Sequence, residues 1–496
     1  MARIAVIGAG MAAMAASARL AIAGHKVTVY ERGTTHGGAL GRVARDGFVF
    51  DTGPQLLHLP AVYRDLFVKT GKESLEQSVA MSQVDPASAH VFADGTAVAL
   101  PNASRAGVVQ ALDAAIGPGA GERWSDMVNR GREVWDATRR PLLEEPLATG
   151  PARDALGHDP YPAVRRRGLF RRPAPPTLAS VAERELTDPR LAALLESHVL
   201  AHGLDPRTAP ASATVLPYME QTFGSWYVAG GMRALADALH RRCTARRVEF
   251  RFGAEVTEVL EKDGRAAGLR LADGETVEAG MVVAGVSPGR LAALAPATAE
   301  PAPVPPGRCT VLLALRGARP EGTAHRTVVH APDRAAELAG IFAPQGGAAY
   351  VPTVTVLRPD DPAVRPDEEH EAVTLTATAA PQGAVNWRAG AEEFADRMVR
   401  AAEAAVPGLR ERLLWREVLT PADTEESTGA EGGGVPAPVL AGADGAYLRP
   451  ANSTGMSGFY RVGGFAHPGG GLAHAGMSGA LVAGLVVEGA DFRGSQ

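Results

Sequence analysis

The chain has 496 residues, more than one ordinary core needs, which predicts about two domains. Its 50 Lys and Arg against 55 Asp and Glu give a formal net charge of -5, with lysine only at positions 26, 69, 72 and 262, so nothing marks it as a nucleic-acid binder. The two cysteines, Cys243 and Cys309, form no CxxC pair, which speaks against a disulfide framework or a zinc site and makes a reducing, cytoplasmic compartment the expectation.

Ile4 to Ile7 is an apolar strand running into Gly8-Ala9-Gly10-Met11-Ala12-Ala13 and an Ala-rich helix. Gly8 turns sharply out of the strand, and Gly10 lacks a side chain, so a pyrophosphate can approach the backbone at the helix N-terminus; Ala13 replaces the third glycine. A second strand, Lys26 to Tyr30, ends at Glu31, where a carboxylate accepts hydrogen bonds from a ribose and disfavours a 2′-phosphate. The same pattern also serves as a plain buried turn. After Glu31-Arg32 come Gly37-Gly38 and Gly41-Arg42, a second glycine-rich loop whose backbone can lie flat against a cofactor while Arg42 supplies a fork of donors. Two such loops suit a long dinucleotide such as FAD. Phe48 to Asp51 then reads as a strand, and Thr52-Gly53-Pro54 as a turn for the flavin end; Asp51 is otherwise a turn residue.

Ile4 to Ala23 is mostly apolar, but Arg19 interrupts it, and the nucleotide spacing explains it better than a secretory signal does. No uninterrupted apolar run approaches the roughly 18 to 20 residues of a membrane span, so any membrane contact is expected from the surface.

Pro60 to Phe67 has helical spacing, and His90 to Leu100 alternates around Asp94-Gly95 as a hairpin does. Helical patterns recur over Ser104 to Ile116 and Gly121 to Leu142, with Trp124, Met127, Val128 and Val134 expected in a core. Arg165-Arg166-Arg167-Gly168-Leu169-Phe170-Arg171-Arg172 is a solvated loop or an interfacial patch for anionic lipid. Asp188 to Leu204 is helical, and Gly230-Gly231 marks a crossing between domains before the helix Arg233 to His240. Val248 to Phe252 and the runs punctuated by Asp263-Gly264 and Asp273-Gly274 predict a β-meander. Met281 to Val286, Thr310 to Leu315, Val351 to Leu357 and Val373 to Thr378 read as strands.

Gly285-Val286-Ser287-Pro288-Gly289 satisfies the G-x-S-x-G pattern, yet Pro288 has no N–H to give an oxyanion. Glu368, Glu369, His370 and Glu371 lack a metal-binding frame and read as a solvated acidic run. The closing stretch, Phe459 to Leu472, repeats strand, glycine turn and helix. Its helix N-terminus, aimed at a flavin pyrimidine edge, would stabilise the negative charge of reduction.

The block from Gly8 to Arg42, Phe50 to Pro54, Trp226 to Leu239, Thr420-Pro421, Arg449-Pro450 and above all Val462 to Gly471 with Ser478-Gly479 together carry a resemblance. The chain resembles the carotenoid desaturase (bacterial phytoene desaturase) branch of the FAD-dependent amine-oxidase-like superfamily. That resemblance implies an α/β fold. A Rossmann-type FAD-binding domain of the glutathione-reductase kind would comprise residues 1–75, 226–290 and 431–496. A mixed α+β substrate domain, 76–225 and 291–430, would be inserted in segments. FAD would lie along Gly8, Gly10, Ala13, Glu31, Arg32, Gly37, Gly38, Arg42, Gly53, Pro54, Val256, Gly463, Gly464, Gly470, Gly471 and Leu472, with no metal.

The implied reaction removes hydride to flavin N5 from a CH2 beside a double bond of an apolar isoprenoid, with loss of a neighbouring proton that extends the conjugation, and a quinone or dioxygen reoxidises the flavin. His467 and His474 are the candidates for relaying a proton, against the plainer reading of structural hydrogen bonding. The protein is expected in the cytoplasm or peripherally at the inner face of the membrane. Alternatives stay open: an enzyme acting on a polyketide-derived polyene, a redox-neutral isomerase, a protoporphyrinogen- or amine-oxidase-like oxidase, and a non-enzymatic prenyl-protein escort.

Overall fold

The computed structural model describes residues 1–162, 176–298, 300, 302–344 and 349–494. The arginine-rich stretch around Arg165 to Arg172 lies outside the described residues.

The strand Arg3–Ile7 is central in a five-stranded parallel sheet, ordered Phe459–Arg461, Met281–Ala284, Arg3–Ile7, Lys26–Glu31, Glu249–Phe252. A parallel sheet covered on both faces needs apolar strands on both sides, which is why Ile4, Val6, Val29 and Val283 are buried on one face and Ala5, Ile7, Tyr30 and Val282 on the other. Strands from three distant parts of the chain thus end along one edge. The turns after them, at Gly8, Glu31, Gly285 and Gly463, stand side by side, joined by Gly8 N–H to Tyr30 O (2.8 Å), Gly285 N–H to Ile7 O (2.8 Å) and Val462 N–H to Ala284 O (2.9 Å).

The helices Met11–Ile22 and Leu472–Glu488 pack tightly on one face of this sheet. Small residues permit it: a Cβ on Gly479 would stand 2.7 Å from Ala12 O and 2.7 Å from the Ala15 Cβ. The opposite face is covered by the antiparallel strands Val256–Lys262, Arg265–Leu271 and Thr276–Glu278. Their first hairpin turns at Asp263 (φ 55) and Gly264 (φ 74), the paired positive angles of a tight two-residue turn.

The expected meander is therefore three strands, and Val248 to Phe252 is not part of it. Glu249–Phe252 pairs in parallel with Lys26–Glu31 instead, because Gly253 and Ala254 bond back to Gly33 O and Glu31 O rather than folding into a hairpin.

A second, seven-stranded sheet runs Leu413–Leu419, Gly307–Arg316, His370–Ala379, Val354–Leu357, Arg326–Val329, Ser88–Val91, Ala97–Leu100. Helices Ala120–Arg139, Pro189–Leu200 and Val215–Phe223 bury Trp124, Met127, Val128 and Val134 in a separate core beside it, as their periodicity predicts. Glu371 corrects the reading of a solvated acidic run. Alternation along its strand turns it inward, where it is 1% exposed and accepts from Arg358 Nε (2.7 Å) and Arg412 Nη2 (2.8 Å). Glu368 and Glu369 are exposed, and among the described residues no His/Cys/Asp/Glu group is arranged to hold a metal. No helix among the described residues is long and apolar enough to cross a membrane.

Candidate functional site

The first helix begins at Gly10 with no acidic residue in its first turn and no side chain capping it. Its free N–H groups and positive dipole end suit an anion such as a pyrophosphate. Gly10 has φ -73, and a Cβ built there would meet nothing within 4 Å. The protein itself therefore has room for a side chain at position 10, and the glycine leaves a bare surface at the helix end. Gly8, by contrast, has φ 90 and faces Gly285 O, so its glycine serves the turn.

Glu31 holds the two glycine loops together. Its carboxylate accepts Ala9 N–H and Gly33 N–H, both at 2.7 Å, leaving lone pairs for a ligand hydroxyl. Gly37 N–H donates to Ala9 O (2.8 Å), and Gly38 crosses so near Gly10 that a Cβ would stand 3.0 Å from its Cα. Ala13 is buried under Gly285. Arg42 donates to Gly230 O (2.9 Å), whereas Arg32 reaches the carbonyls of Glu426 (3.0 Å) and Ser427 (3.2 Å), away from the Gly8 turn. Val256 is buried and its carbonyl accepts from Arg290 (2.9 Å).

Two residues that sequence reasoning passed over organise this region. Arg233 donates from its guanidinium to Leu40 O (3.1 Å), Thr35 Oγ1 (2.7 Å) and Asp237 (2.9 Å), clamping the second glycine loop. Asp51 is no ordinary turn residue: it is buried and accepts the N–H groups of Met232 and Arg233 at the start of helix Arg233–Ala245. An arginine directly after Gly230-Gly231-Met232 was the available signal for the clamp.

At the carboxy-terminal turn, Ser478 Oγ accepts Gly463 N–H (3.0 Å) and donates to His467 O (3.0 Å). Gly464 and Gly470 are squeezed against Pro436; a Cβ on Gly470 would fall 1.7 Å from Pro436 O. His467 is 0% exposed and its Nε2 meets Glu145 O at 3.0 Å, so it packs inside the turn. Burial pushes its pKa down to about 4.

A cavity of about 290 Å³ opens beside this turn. Pro54, Gln55 and Leu56, from the stretch after Gly53, form one wall with Gly471, Leu472 and His474; the seven-stranded sheet and helices Pro189–Leu200 and Val215–Phe223 form the others. Gly53 itself is packed against Ala39 O, where a Cβ would stand at 2.2 Å. The structure thus brings Pro54, Gly471, Leu472 and His474 together and leaves His467 behind them.

Leu200, Leu216, Met219, Val328 and Leu357 make much of the lining apolar, but five of the 13 histidines also face this cavity: His58, His90, His198, His202 and His474. Burial lowers the pKa of all five, to about 3 for His202, with Arg308 and His474 adding to it, and to about 4 for His474. They are neutral near pH 7. Glu220 pairs with Arg326 (Oε2 to Nη1 3.2 Å); burial alone would raise its carboxyl, but the Arg326 guanidinium foremost opposes that, and the carboxyl is held well below the usual range. These groups lie on separate elements, so no local motif announced them.

The family pattern described as flavin containing amine oxidoreductase matches residues 11–325. The chain belongs to that family. It is an FAD-dependent oxidoreductase of the amine-oxidase superfamily. Its full-length resemblance is to carotenoid desaturases: the hydroxyneurosporene desaturase of Rhodobacter capsulatus is 28% identical, covering 96% of both chains. The 4,4'-diapolycopene oxygenase of a Methylomonas species is 31% identical, over 57% of this chain and only 55% of its own length. An oxidoreductase from Methanosarcina mazei shares the fold, with TM-score 0.65 at 17% identity, covering 97% of this chain and 99% of that one. The escort and hydrolase readings fall away with this membership.

Proposed function

We propose that this flavoenzyme desaturates an apolar polyene or isoprenoid of the carotenoid kind. The observation that carries the reading is that the Gly8 and Gly463 turns share one sheet edge, while Pro54 and Gly471 to His474 form the wall of a partly apolar cavity next to them. FAD would be held by the Gly8–Gly10 turn with Glu31, the loop Gly37–Arg42 clamped by Arg233, and the turns at Gly53-Pro54 and Gly463 to Leu472. When bound, the flavin supplies the hydride-accepting centre.

The chain's own part is to hold the polyene in line and keep water out. Positioning then contributes much of the rate, because delocalisation along the chain stabilises the developing charge. His474 is the one of the two candidate histidines that reaches the cavity. With its pKa near 4 it is a weak base at neutral pH, a poor acceptor for the proton that leaves the substrate. In this reading the nucleotide domain is 1–75, 226–290 and 431–496, the substrate is collected at a membrane surface, and a quinone or dioxygen serves as terminal acceptor.

The test is anaerobic bleaching of the bound flavin with phytoene, later carotenes and polyketide-derived polyenes, followed by admission of dioxygen or a quinone. Bleaching by at least one carotene with an extended-conjugation product supports the reading. Bleaching by amines alone sinks it.

A further inference from the structure

Arg308, in the strand Gly307–Arg316, lines the cavity together with Thr378 of the neighbouring strand. Its Nη2 donates to Ala201 O (2.6 Å), just past the C-terminal end of helix Pro189–Leu200, which uses one of the five donors of the guanidinium. The other cavity arginine, Arg326, is neutralised by Glu220. Arg308 has no such partner: among the described residues no carboxylate pairs with it, and burial acts on its charge unopposed. His202 stands within electrostatic reach of both Arg308 and His474. The rings of His202 and His474 line the same cavity without a hydrogen bond to any described residue.

A half-buried guanidinium that lines a cavity with one backbone carbonyl for company keeps unused donors there, and an entering anion can satisfy them. Its planar fork matches a carboxylate in two parallel hydrogen bonds. A pure hydrocarbon offers it nothing and would leave it further desolvated. The aliphatic part of the wall, Leu200, Leu216, Met219 and Leu472, is suited to the chain that follows such a head group.

We propose that the cavity takes an unsaturated chain ending in a carboxylate, with Arg308 fixing the acid group and His202 and His474 hydrogen-bonding beside it. This rests on the reading that the cavity receives a polyene, and narrows it to an acidic one. Arg308 is a positioning and specificity residue here; it takes no part in bond making.

The FAD-loaded protein is titrated with cis-parinaric acid, a fluorescent conjugated tetraene fatty acid, and with its methyl ester. The wild type is expected to bind the acid about tenfold or more tightly than the ester, the span of one salt-bridged carboxylate. In Arg308→Gln the two bind alike while FAD occupancy is unchanged, and Arg308→Lys keeps a preference for the acid. A merely structural arginine would change the melting temperature without changing the acid-to-ester ratio. Equal binding of acid and ester by the wild type, or an acid preference that survives Arg308→Gln, overturns the proposal; the first needs no variant to fold. If no polyene bleaches the flavin but acid-selective binding holds, the desaturase reading falls and the acid site stands. If hydrocarbon carotenes bleach it and acid selectivity is absent, the reverse is true.

Discussion

Asp51 accepts the backbone N–H of Arg233 at 3.1 Å across 182 residues of sequence. The arginine's own guanidinium then returns to Leu40 O and Thr35 Oγ1. The second glycine loop is thereby held by a helix whose N-terminus is itself capped from the strand that follows the loop. Asp51→Ala leaves two buried N–H groups without a partner and is expected to cost about 2 kcal/mol in urea unfolding. FAD affinity should fall with it, and Asp51→Asn, which keeps an acceptor, should lose less of both.

Gly10 and Gly470 differ in what a side chain would meet, open space at the one and Pro436 O at the other. Gly10→Ala meets open space, so the apoprotein should stay within about 1 kcal/mol of wild type. Its FAD affinity, followed by flavin fluorescence quenching, should drop about tenfold or more. Gly470→Ala drives a Cβ into Pro436 O and should yield a destabilised or insoluble protein whether or not FAD is supplied. Equal behaviour of the two variants would refute the distinction.

Acid should unfold this protein early. Burial holds His202 and His330 near 3 and His325, His467 and His474 near 4, against 6.5 in an unfolded chain. Between those values the unfolded state binds more protons, so stability is lost as pH falls from about 6.5 toward 4. Glu196 and Glu337 oppose this: burial raises both to about 7, so the folded state takes up their protons first and gains stability as pH falls from about 7 to 4.5. Five histidines outweigh two carboxylates, and several kcal/mol should be lost between pH 6.5 and 4.5 in urea titrations at fixed pH. His467→Gln should reduce that slope by about 1.4 kcal/mol per pH unit.

Glu371→Gln is expected to cost about 3 to 5 kcal/mol, because Arg358 and Arg412 would face a neutral amide in a nearly dry site. Urea unfolding measures it. A cost under about 1 kcal/mol would mean that water reaches the pair.

Much of the fold was legible where the determining chemistry is local. The strand into Gly8 and the Ala-rich helix, the Asp263-Gly264 hairpin and the buried periodicity of Trp124, Met127 and Val128 each follow from a few neighbouring residues. Glu249–Phe252 was misassigned because its pairing partner, Lys26–Glu31, lies more than 200 residues away, and an apolar strand looks the same whichever sheet it joins. The place of Glu371 does not follow from the run of charges around it, because such a run gives no sign of which member faces two arginines from a distant loop and a distant short helix.

By itself the amino-acid sequence determined that two glycine turns followed by small-residue helices would form, since only glycine tolerates those backbone angles and only small side chains allow helices so close. The tertiary structure alone decided what meets in the cavity. Glu220 and Arg326, His202, Arg308 and His474 come from different elements, and desolvation acts on them only once those elements pack together. Charge, protonation and hydrogen-bonding demand at such a place are properties of the packed arrangement, which no single stretch of chain contains.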